Sequence, residues 1–350
     1  MRIDRIKTEI NNSTRKVINT SLKHSELVKG KSIEKFEERI RVLLRKKYCV
    51  STVNGFSALF LAIKTLDLFS SKIVLPAIST CFAIPNAILA TNNIPVYCDV
   101  DLNTGNLDLK SLKETLKTEK VDAIISPNHF GILSDIENIK KFSIPVIGDC
   151  AQSFLSSAQI DSKADIQIFS FYPTKEFSAI DGGAVVTNND FLGKKLVQKI
   201  NYRQQDKCDK EARFNFQILA IHAAVGLNSL SNFEQKKKSI SKISGIYRER
   251  FKKVCRFLGQ DTKDILYKFM LYFPNKGMKY CSMDSLNKSG IECAEEFIAL
   301  TDLKNFPVAK KLIDQTCSIP FRDNLIEDEI EYICKNAKYI IREINYERLS

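Results

Sequence analysis

ADIQIFSFYPTKEFSAIDGGAVVT, residues 164–187, is the stretch of this 350-residue chain that says most about its fold. The apolar residues that run up to Ser170 predict a buried strand, and the glycine pair at 182–183 predicts a hairpin into a second strand. Lys175 lies between them, five residues after Ser170. A lysine beside a buried strand end is costly unless its charge is paired or its pKa is lowered. Because a lysine that forms a Schiff base needs a lowered pKa, Lys175 is a candidate nucleophile.

Alternating strands and helices extend from this segment in both directions. Seven strands are predicted at residues 48–52, 73–75, 95–99, 123–126, 146–149, 166–171 and 184–187, and helical patterns fill most of the gaps. That alternation predicts βαβ units, and hence an α/β fold with a mostly parallel sheet between two helical layers. Beyond residue 189, amphipathic helical patterns and one strand-like run predict a smaller α+β domain. We expect domains at 1–235 and 236–350, with the first thirty residues as candidates for packing with the smaller one.

Composition narrows the class of protein. Lys and Arg total 53 against 41 Asp and Glu, which gives a net charge of +12, but the basic residues are scattered and do not alternate with aromatics as in single-strand binders. We therefore expect no nucleic-acid partner and some attraction for anionic metabolites. The N-terminus has no apolar signal region and no apolar run approaches a spanning length, so we expect a cytoplasmic protein without membrane insertion. Ten cysteines without a CxxC pair are more typical of buried thiols than of disulfides or a metal site.

Polar residues follow several of the predicted strands, and ligands bind at this end of a parallel sheet. Gly55, Phe56 and Ser57 lie between a strand and a helix, where free backbone N–H groups can bind a phosphate, although an ordinary turn fits as well. Asp149 ends another strand, with Gln152 close behind. This aspartate can pair with a protonated ring nitrogen, and a helix N-cap is the structural alternative.

Two further positions complete the pattern. Ser170 and Lys175 can reach the phosphate and the carbonyl carbon of one cofactor; the alternative is a turn followed by a solvated lysine. His129 follows a strand in the stretch SPNHFG and can stack on a ring, or be an ordinary loop histidine. Taken together, the positions imply pyridoxal 5′-phosphate (PLP), which needs a lysine for attachment, a carboxylate at its ring nitrogen and a phosphate cup.

These motifs resemble the DegT/DnrJ/StrS-type sugar aminotransferases, a PLP-dependent family of fold type I. The family's phosphate turn is similar to NGFSAL at 54–59, its aspartate-containing motif to GDCAQ at 148–152, its lysine motif to SFYPTK at 170–175, and a later segment to RFNFQ at 213–217. The likeness covers nearly the whole chain. It implies a PLP fold type I large domain with a three-layer, mostly parallel sheet, and a smaller α+β C-terminal domain.

The resemblance also implies roles for individual residues. Lys175 is implied to attach the cofactor and move the proton, and Asp149 to pair with the pyridine nitrogen. The implied contacts to the cofactor are Gln152 at the ring hydroxyl, Phe82 beside the ring, and Gly55, Phe56, Ser57 and Ser170 at the phosphate. Asn215 is implied to reach the phosphate from a neighbouring subunit, which implies a homodimer with shared active sites. His129 is the candidate substrate contact.

The implied reaction transfers an amino group from an amino acid, with glutamate as the expected donor, to a keto-sugar that we expect to be nucleotide-linked, in amino-sugar or surface polysaccharide biosynthesis. The chain departs from the family where Phe56 replaces a threonine, Cys81 an aromatic residue and Gln217 an arginine. These departures leave open a non-catalytic or regulatory protein on the same scaffold. A PLP-dependent sugar dehydratase is the other alternative, but such relatives have histidine at the position of Lys175.

Overall fold

A seven-stranded sheet forms the centre of the computed structural model, which describes residues 2–6, 10–24, 27–200 and 212–346. The strand order is β1-β8-β7-β6-β5-β2-β4. Every neighbouring pair from β7 to β4 is parallel, whereas β8 is antiparallel to both β7 and β1. The mostly parallel sheet predicted from the sequence is confirmed. Its strands are β1 (Tyr48–Thr52), β2 (Lys72–Pro76), β4 (Ile94–Cys98), β5 (Ala123–Pro127), β6 (Val146–Asp149), β7 (Ile166–Ser170) and β8 (Gly183–Thr187).

Helices cover both faces of this sheet. Alternate residues of β7 point to opposite faces, so Ile166 and Ile168 pack into one core while Phe169 packs into another. This two-sided burial explains why the strand is nearly continuous in apolar residues. The helices that belong to these layers are α2 (Lys31–Leu44), α3 (Gly55–Thr65), α4 (Ala83–Ala90), α5 (Leu109–Thr118), α6 (Ile136–Lys140), α7 (Phe154–Ser157) and α8 (Asp190–Ile200).

The C-terminal part of the chain builds a smaller antiparallel sheet in the order β12-β10-β9. The sequence predicts one amphipathic run over 216–251, and the structure divides it at Asn232 into two helices. Residue 235, the expected domain boundary, lies inside the second of these helices. The elements of this part are α9 (Ala220–Ser231), α10 (Phe233–Phe251), β9 (Arg256–Phe257), β10 (Phe269–Tyr272), α11 (Lys276–Lys288), α12 (Pro307–Gln315), β12 (Thr316–Ile319) and α13 (Glu327–Tyr346).

Several contacts fix the smaller sheet region against the larger one. Asp99, just after β4, accepts hydrogen bonds from the backbone N–H groups of Val308 and Ala309 at 3.0 and 2.8 Å, so its carboxylate caps α12. Two short strands, β3 (Ile78–Ser79) and β11 (Ile298–Ala299), pair antiparallel between the two regions. Near the N-terminus, residue 3 bridges to residue 291, and α1 (Asn12–Lys23) packs on α9.

Two further observations concern the state of the cysteines and the character of the helices. The nine cysteines within the described ranges are free thiols, five of them buried, and Cys208 lies outside those ranges. Over the same ranges, no helix combines the length and the apolar character that crossing a bilayer requires.

Candidate functional site

The carboxyl ends of adjacent strands bring the central residues together. Asp149 ends β6 and Ser170 ends β7, and these strands are parallel neighbours. Gly55 begins α3 directly against Ser170, since a Cβ at Gly55 would lie 2.9 Å from the Ser170 Cβ. The turn after β7 places Lys175 where its charge and that of Asp149 act on each other. Four of the residues singled out in the sequence therefore converge at one edge of the sheet.

The N-terminus of α3 forms a cup of free hydrogen-bond donors. Asn54 caps the helix by accepting from the Ser57 N–H at 2.8 Å. The N–H groups of Gly55 and Phe56, and the neighbouring Ser170 hydroxyl, have no hydrogen-bond partner within the described residues. Unpaired N–H groups at a helix N-terminus favour an anion. The cap has one consequence for the sequence prediction: the backbone N–H of Ser57 is occupied, so only its hydroxyl is left for a ligand.

Lys175 combines a half-buried position with a free amine. Burial lowers its pKa, and the nearby Cys81, Asp149, Glu176 and Glu296 oppose that effect when charged. Its Nζ makes no hydrogen bond or ion pair with any residue of the described ranges and lies 5.8 Å from the centre of the Tyr267 ring. A lowered pKa increases the fraction of neutral amine, which is the nucleophilic form.

Asp149 is buried, with one oxygen in use. Oδ1 accepts from the Ala151 N–H at 3.0 Å, whereas Oδ2 has no hydrogen bond to the described part of the chain. Burial raises the pKa of Asp149, and the Ala151 N–H and the charge of Lys175 oppose the rise. A buried carboxylate of this kind is stabilised by a cationic partner, such as a protonated ring nitrogen.

Gln152 serves the fold with both ends of its amide. Its Oε1 accepts from the Phe130 N–H at 2.9 Å, and its Nε2 donates to the Thr80 hydroxyl at 2.7 Å. Sequence reasoning missed Thr80, because nothing local marks a threonine ahead of a helix as the partner of a glutamine 72 residues later. Gln152 is thus a fixed element of the site, and its contact with a ring hydroxyl stays a prediction.

His129 occupies the fold interior. The side chain is buried, its Nε2 is 3.1 Å from the Ser79 hydroxyl and its Nδ1 is 2.8 Å from the Gly105 carbonyl oxygen. Burial lowers its pKa to about 4, so the ring is neutral near pH 7. With both nitrogens engaged and no free edge, His129 has a structural role here, and the structure gives no support for the predicted substrate contact.

The remaining predicted contacts lie at the protein surface. The predicted helix at 81–90 begins at Ala83 instead, so Phe82 is the N-cap residue and does not take a position within a helical turn. Phe82 is 52% exposed and Phe56 is 38% exposed. Asn215 is also exposed, in a segment held along β1 by a 2.7 Å hydrogen bond from the Val53 N–H to the Phe216 carbonyl. All three side chains are therefore exposed in the single chain.

A cavity of about 870 Å³ meets this cluster at Lys175. Its wall includes Arg5, Glu176, Tyr267 and Lys268, whereas Asp149 and Ser170 lie outside it. Lys175 therefore belongs both to the group of residues at the strand ends and to the wall of the cavity. Sequence reasoning missed Arg5, Tyr267 and Lys268 because they lie far from Lys175 in the sequence and match no motif.

Several proteins similar to this chain are named as aminotransferases. The chain is 29% identical to a UDP-4-amino-4,6-dideoxy-N-acetyl-beta-L-altrosamine transaminase of Campylobacter jejuni, over 91% of this chain and 90% of that protein. It is 27% identical to a UDP-2-acetamido-2-deoxy-3-oxo-D-glucuronate aminotransferase of Pseudomonas aeruginosa, over 94% and 95% of the two chains. The structure of Spr1654 from Streptococcus pneumoniae in its PMP form, 18% identical, superimposes over 100% of both chains with a TM-score of 0.91, which shows the same fold.

The family comparison covers more of the chain than any single motif does. Residues 8–338 match the DegT/DnrJ/EryC1/StrS aminotransferase family. This match includes the cup at the start of α3, the end of β6 and the lysine turn after β7. The chain belongs to the DegT/DnrJ/EryC1/StrS aminotransferase family.

Proposed function

We propose that this protein is a PLP-dependent aminotransferase that moves an amino group from an amino acid, with glutamate as donor, to a nucleotide-linked keto-sugar. The observation that carries the proposal is the convergence of Lys175, Asp149 and the donor cup of Gly55, Phe56 and Ser170 at one sheet edge. Two relatives at 29% and 27% identity are named as aminotransferases of different UDP-linked sugars, which supports the substrate class without selecting one sugar.

The residues present fit this cofactor. A phosphate group would satisfy the free N–H groups of Gly55 and Phe56 and the hydroxyl of Ser170. A protonated pyridine nitrogen would satisfy the unpaired oxygen of Asp149. Any side chain at position 55 would close the cup, because even a Cβ would lie 3.1 Å from the Ser170 Oγ. Near Lys175, the site therefore offers a group of donors that can bind an anion and a carboxylate that can bind a cation.

When bound, PLP supplies an electron sink for negative charge that develops on the carbon beside the amine. The residues of the chain supply the proton transfer, the counter-charge and the access for substrates. Lys175, whose pKa is lowered by burial, holds or releases a proton at Nζ, so it acts as base and acid in turn. Asp149 keeps the positive charge on the ring nitrogen by its own negative charge. The cavity brings the substrates to the side of Lys175 away from the phosphate cup.

The test is to load the purified protein with PLP and reduce it with borohydride. A pyridoxyl mass on the peptide that contains Lys175, absent in Lys175→Ala and retained in the matched exposed-lysine control Lys163→Ala, supports the proposal. In a second, unreduced sample of the PLP-loaded protein, L-glutamate should convert the bound cofactor to its amine form, and a panel of nucleotide-linked keto-sugars should convert it back. No adduct on Lys175 would refute the proposed function. Bound PLP that no amino acid converts would favour the non-catalytic alternative.

We also propose that two copies of the chain share each active site. Phe56, Phe82, Tyr172 and Ile180 expose apolar side chains around the cup and the lysine turn, at 38%, 52%, 52% and 37%. Exposed apolar groups grouped in this way are typical of interfaces. The exposed Asn215 is the candidate for crossing to the second copy's phosphate cup.

Mixing variants tests this sharing. Lys175→Ala and Asn215→Asp should each be inactive alone. If each site takes its lysine from one subunit and Asn215 from the other, refolding the two together should restore about a quarter of the sites. Activity that does not return, although mass measurement shows mixed dimers, would refute shared sites. A monomer by light scattering would refute the dimer.

A further inference from the structure

We propose that Arg5 and Lys268 form the site that holds a carboxylate group of the amino donor. The inference rests on the proposed function, and it assigns a substrate-binding role to two residues outside every motif discussed above. Both residues line the cavity that opens beside Lys175. They come from distant parts of the chain and meet at one buried carboxylate, that of Glu296.

The cluster is a built site of largely buried charges. Arg5 donates from Nη1 to one oxygen of Glu296 and Lys268 donates to the other, and the three side chains are only 16%, 15% and 8% exposed. Ser318 donates to Glu296 at 2.6 Å, so this carboxylate has a full set of donors. The backbone supports the arrangement, because the Arg5 N–H donates to Glu292 at 2.7 Å.

The cationic side of the cluster is not saturated. The buried Nε of Arg5 has no hydrogen-bond partner within the described residues. Within the described residues, the Arg5 and Lys268 side chains both pair with the carboxylate of Glu296, whereas Glu292 accepts only from the Arg5 backbone N–H. Burial lowers the pKa of Lys268; Glu296 opposes this, and the charges of Arg5 and Lys175 add to it. A ligand with a single negative charge would relieve this repulsion, and one carboxylate supplies that charge, whereas a diphosphate would bring at least two.

The position of the cluster relative to Lys175 matches a small amino acid. Both lysines lie near the ring of Tyr267, with Lys175 Nζ at 5.8 Å and Lys268 Nζ at 5.7 Å from its centre. The Tyr267 hydroxyl donates to the Thr174 carbonyl at 2.7 Å, which fixes the ring beside the lysine turn. One cavity therefore presents an amine-handling group and a carboxylate-binding pair near one fixed ring.

The experiment compares PLP-loaded wild type with Arg5→Gln, Lys268→Gln and the control Arg250→Gln. Arg250 also pairs with a glutamate, Glu331 at 3.2 Å, but that pair is exposed and remote from the cavity. Two measurements are made: calorimetric binding of succinate, a dicarboxylate without an amine, and single-turnover conversion of the cofactor by L-glutamate. Loss of one charge-assisted contact predicts a ~10–100-fold weaker half-saturation in both measurements for the two cavity variants, and no change for Arg250→Gln.

The return half-reaction with a keto-sugar provides the contrast. It should be unchanged in the cavity variants, and retained PLP loading on Lys175 shows that they fold. Unaltered succinate and glutamate binding in both cavity variants would refute the inference. So would a defect confined to the keto-sugar half-reaction, which would assign the cluster to a phosphate. If no amino acid converts the wild type, the proposed function fails, while succinate binding still decides whether the carboxylate site exists.

Discussion

Replacing Gly55 with alanine should weaken PLP binding by closing the donor cup. An added Cβ would lie 2.9 Å from the Ser170 Cβ and 3.1 Å from its Oγ, whereas carbon atoms in ordinary contact lie about 3.5–4.0 Å apart. The start of α3 and the end of β7 must separate by roughly 1 Å to relieve this contact. That displacement removes the alignment of one N–H or hydroxyl donor with the phosphate, which costs about 1.5–3 kcal/mol for a charged acceptor. The expected loss of affinity is therefore ~10–100-fold.

The assay is a titration of the apoprotein with PLP and with pyridoxal, which lacks the phosphate. Only PLP binding should weaken in Gly55→Ala. Gly245→Ala is the matched control, because a Cβ at Gly245 would have no atom within 4 Å, and it should bind PLP as wild type does. Equal affinity of Gly55→Ala and wild type for PLP, with the variant folded, would refute the assignment of the phosphate to this cup.

Three further predictions concern stability, each measured by urea unfolding. Burial raises the pKa of Glu176 to about 7 from 4.5, so this residue's contribution to the free energy of unfolding is present below pH 4.5 and is lost as the pH rises through 7. Over that range, the free energy of unfolding of wild type should fall by up to about 3 kcal/mol relative to Glu176→Gln. A difference between the two proteins that stays constant with pH would contradict this. The pH dependence expected for His129 has the opposite sign, because its lowered pKa gives stability that is present above pH 6.5 and lost as the pH falls through 4. Relative to His129→Gln, the free energy of unfolding of wild type should fall by about 3 kcal/mol from pH 7 to pH 4. Parallel plots of unfolding free energy against pH for the two proteins would refute this prediction. Asp99→Asn should lower the free energy of unfolding by about 1–3 kcal/mol, because the NH2 group of an amide cannot accept a hydrogen bond and only one of the N–H groups of Val308 and Ala309 would keep its acceptor. An unchanged unfolding midpoint would show that the cap is dispensable.

The strands of the large sheet were predictable because they are short apolar runs between turns. The bounds predicted for β1 and β6 agree with the structure to the residue. Helix starts were harder to place. The helix expected from residue 81 begins at Ala83, and no side chain caps it, so the sequence carries no signal for its start. The break at Asn232 between α9 and α10 was missed because apolar residues continue at helical spacing across it.

The residues of the candidate site likewise differ in whether the sequence alone could predict their position. Lys175, Asp149 and Gly55 each follow a strand in a recognisable motif, so their convergence could be inferred from topology alone. His129 had the same kind of motif, but its fate depended on Ser79 and Gly105, whose positions only the tertiary structure provides. Arg5 and Lys268 carry no local signal, because a shared partner such as Glu296 exists only once the chain has folded.

The segment at 214–218 that lies along β1 has a consequence for how this protein tolerates mutation. β1 is the outermost strand of the large sheet, and the backbone of Phe216 covers its free edge through the Val53 hydrogen bond. An uncovered edge strand is a template for pairing with other chains and for aggregation. The same few residues present Asn215 to the exterior. A substitution that loosens this segment would therefore lower solubility and remove the proposed contact to a second subunit together, so screens for soluble variants and for active variants should select the same residues here.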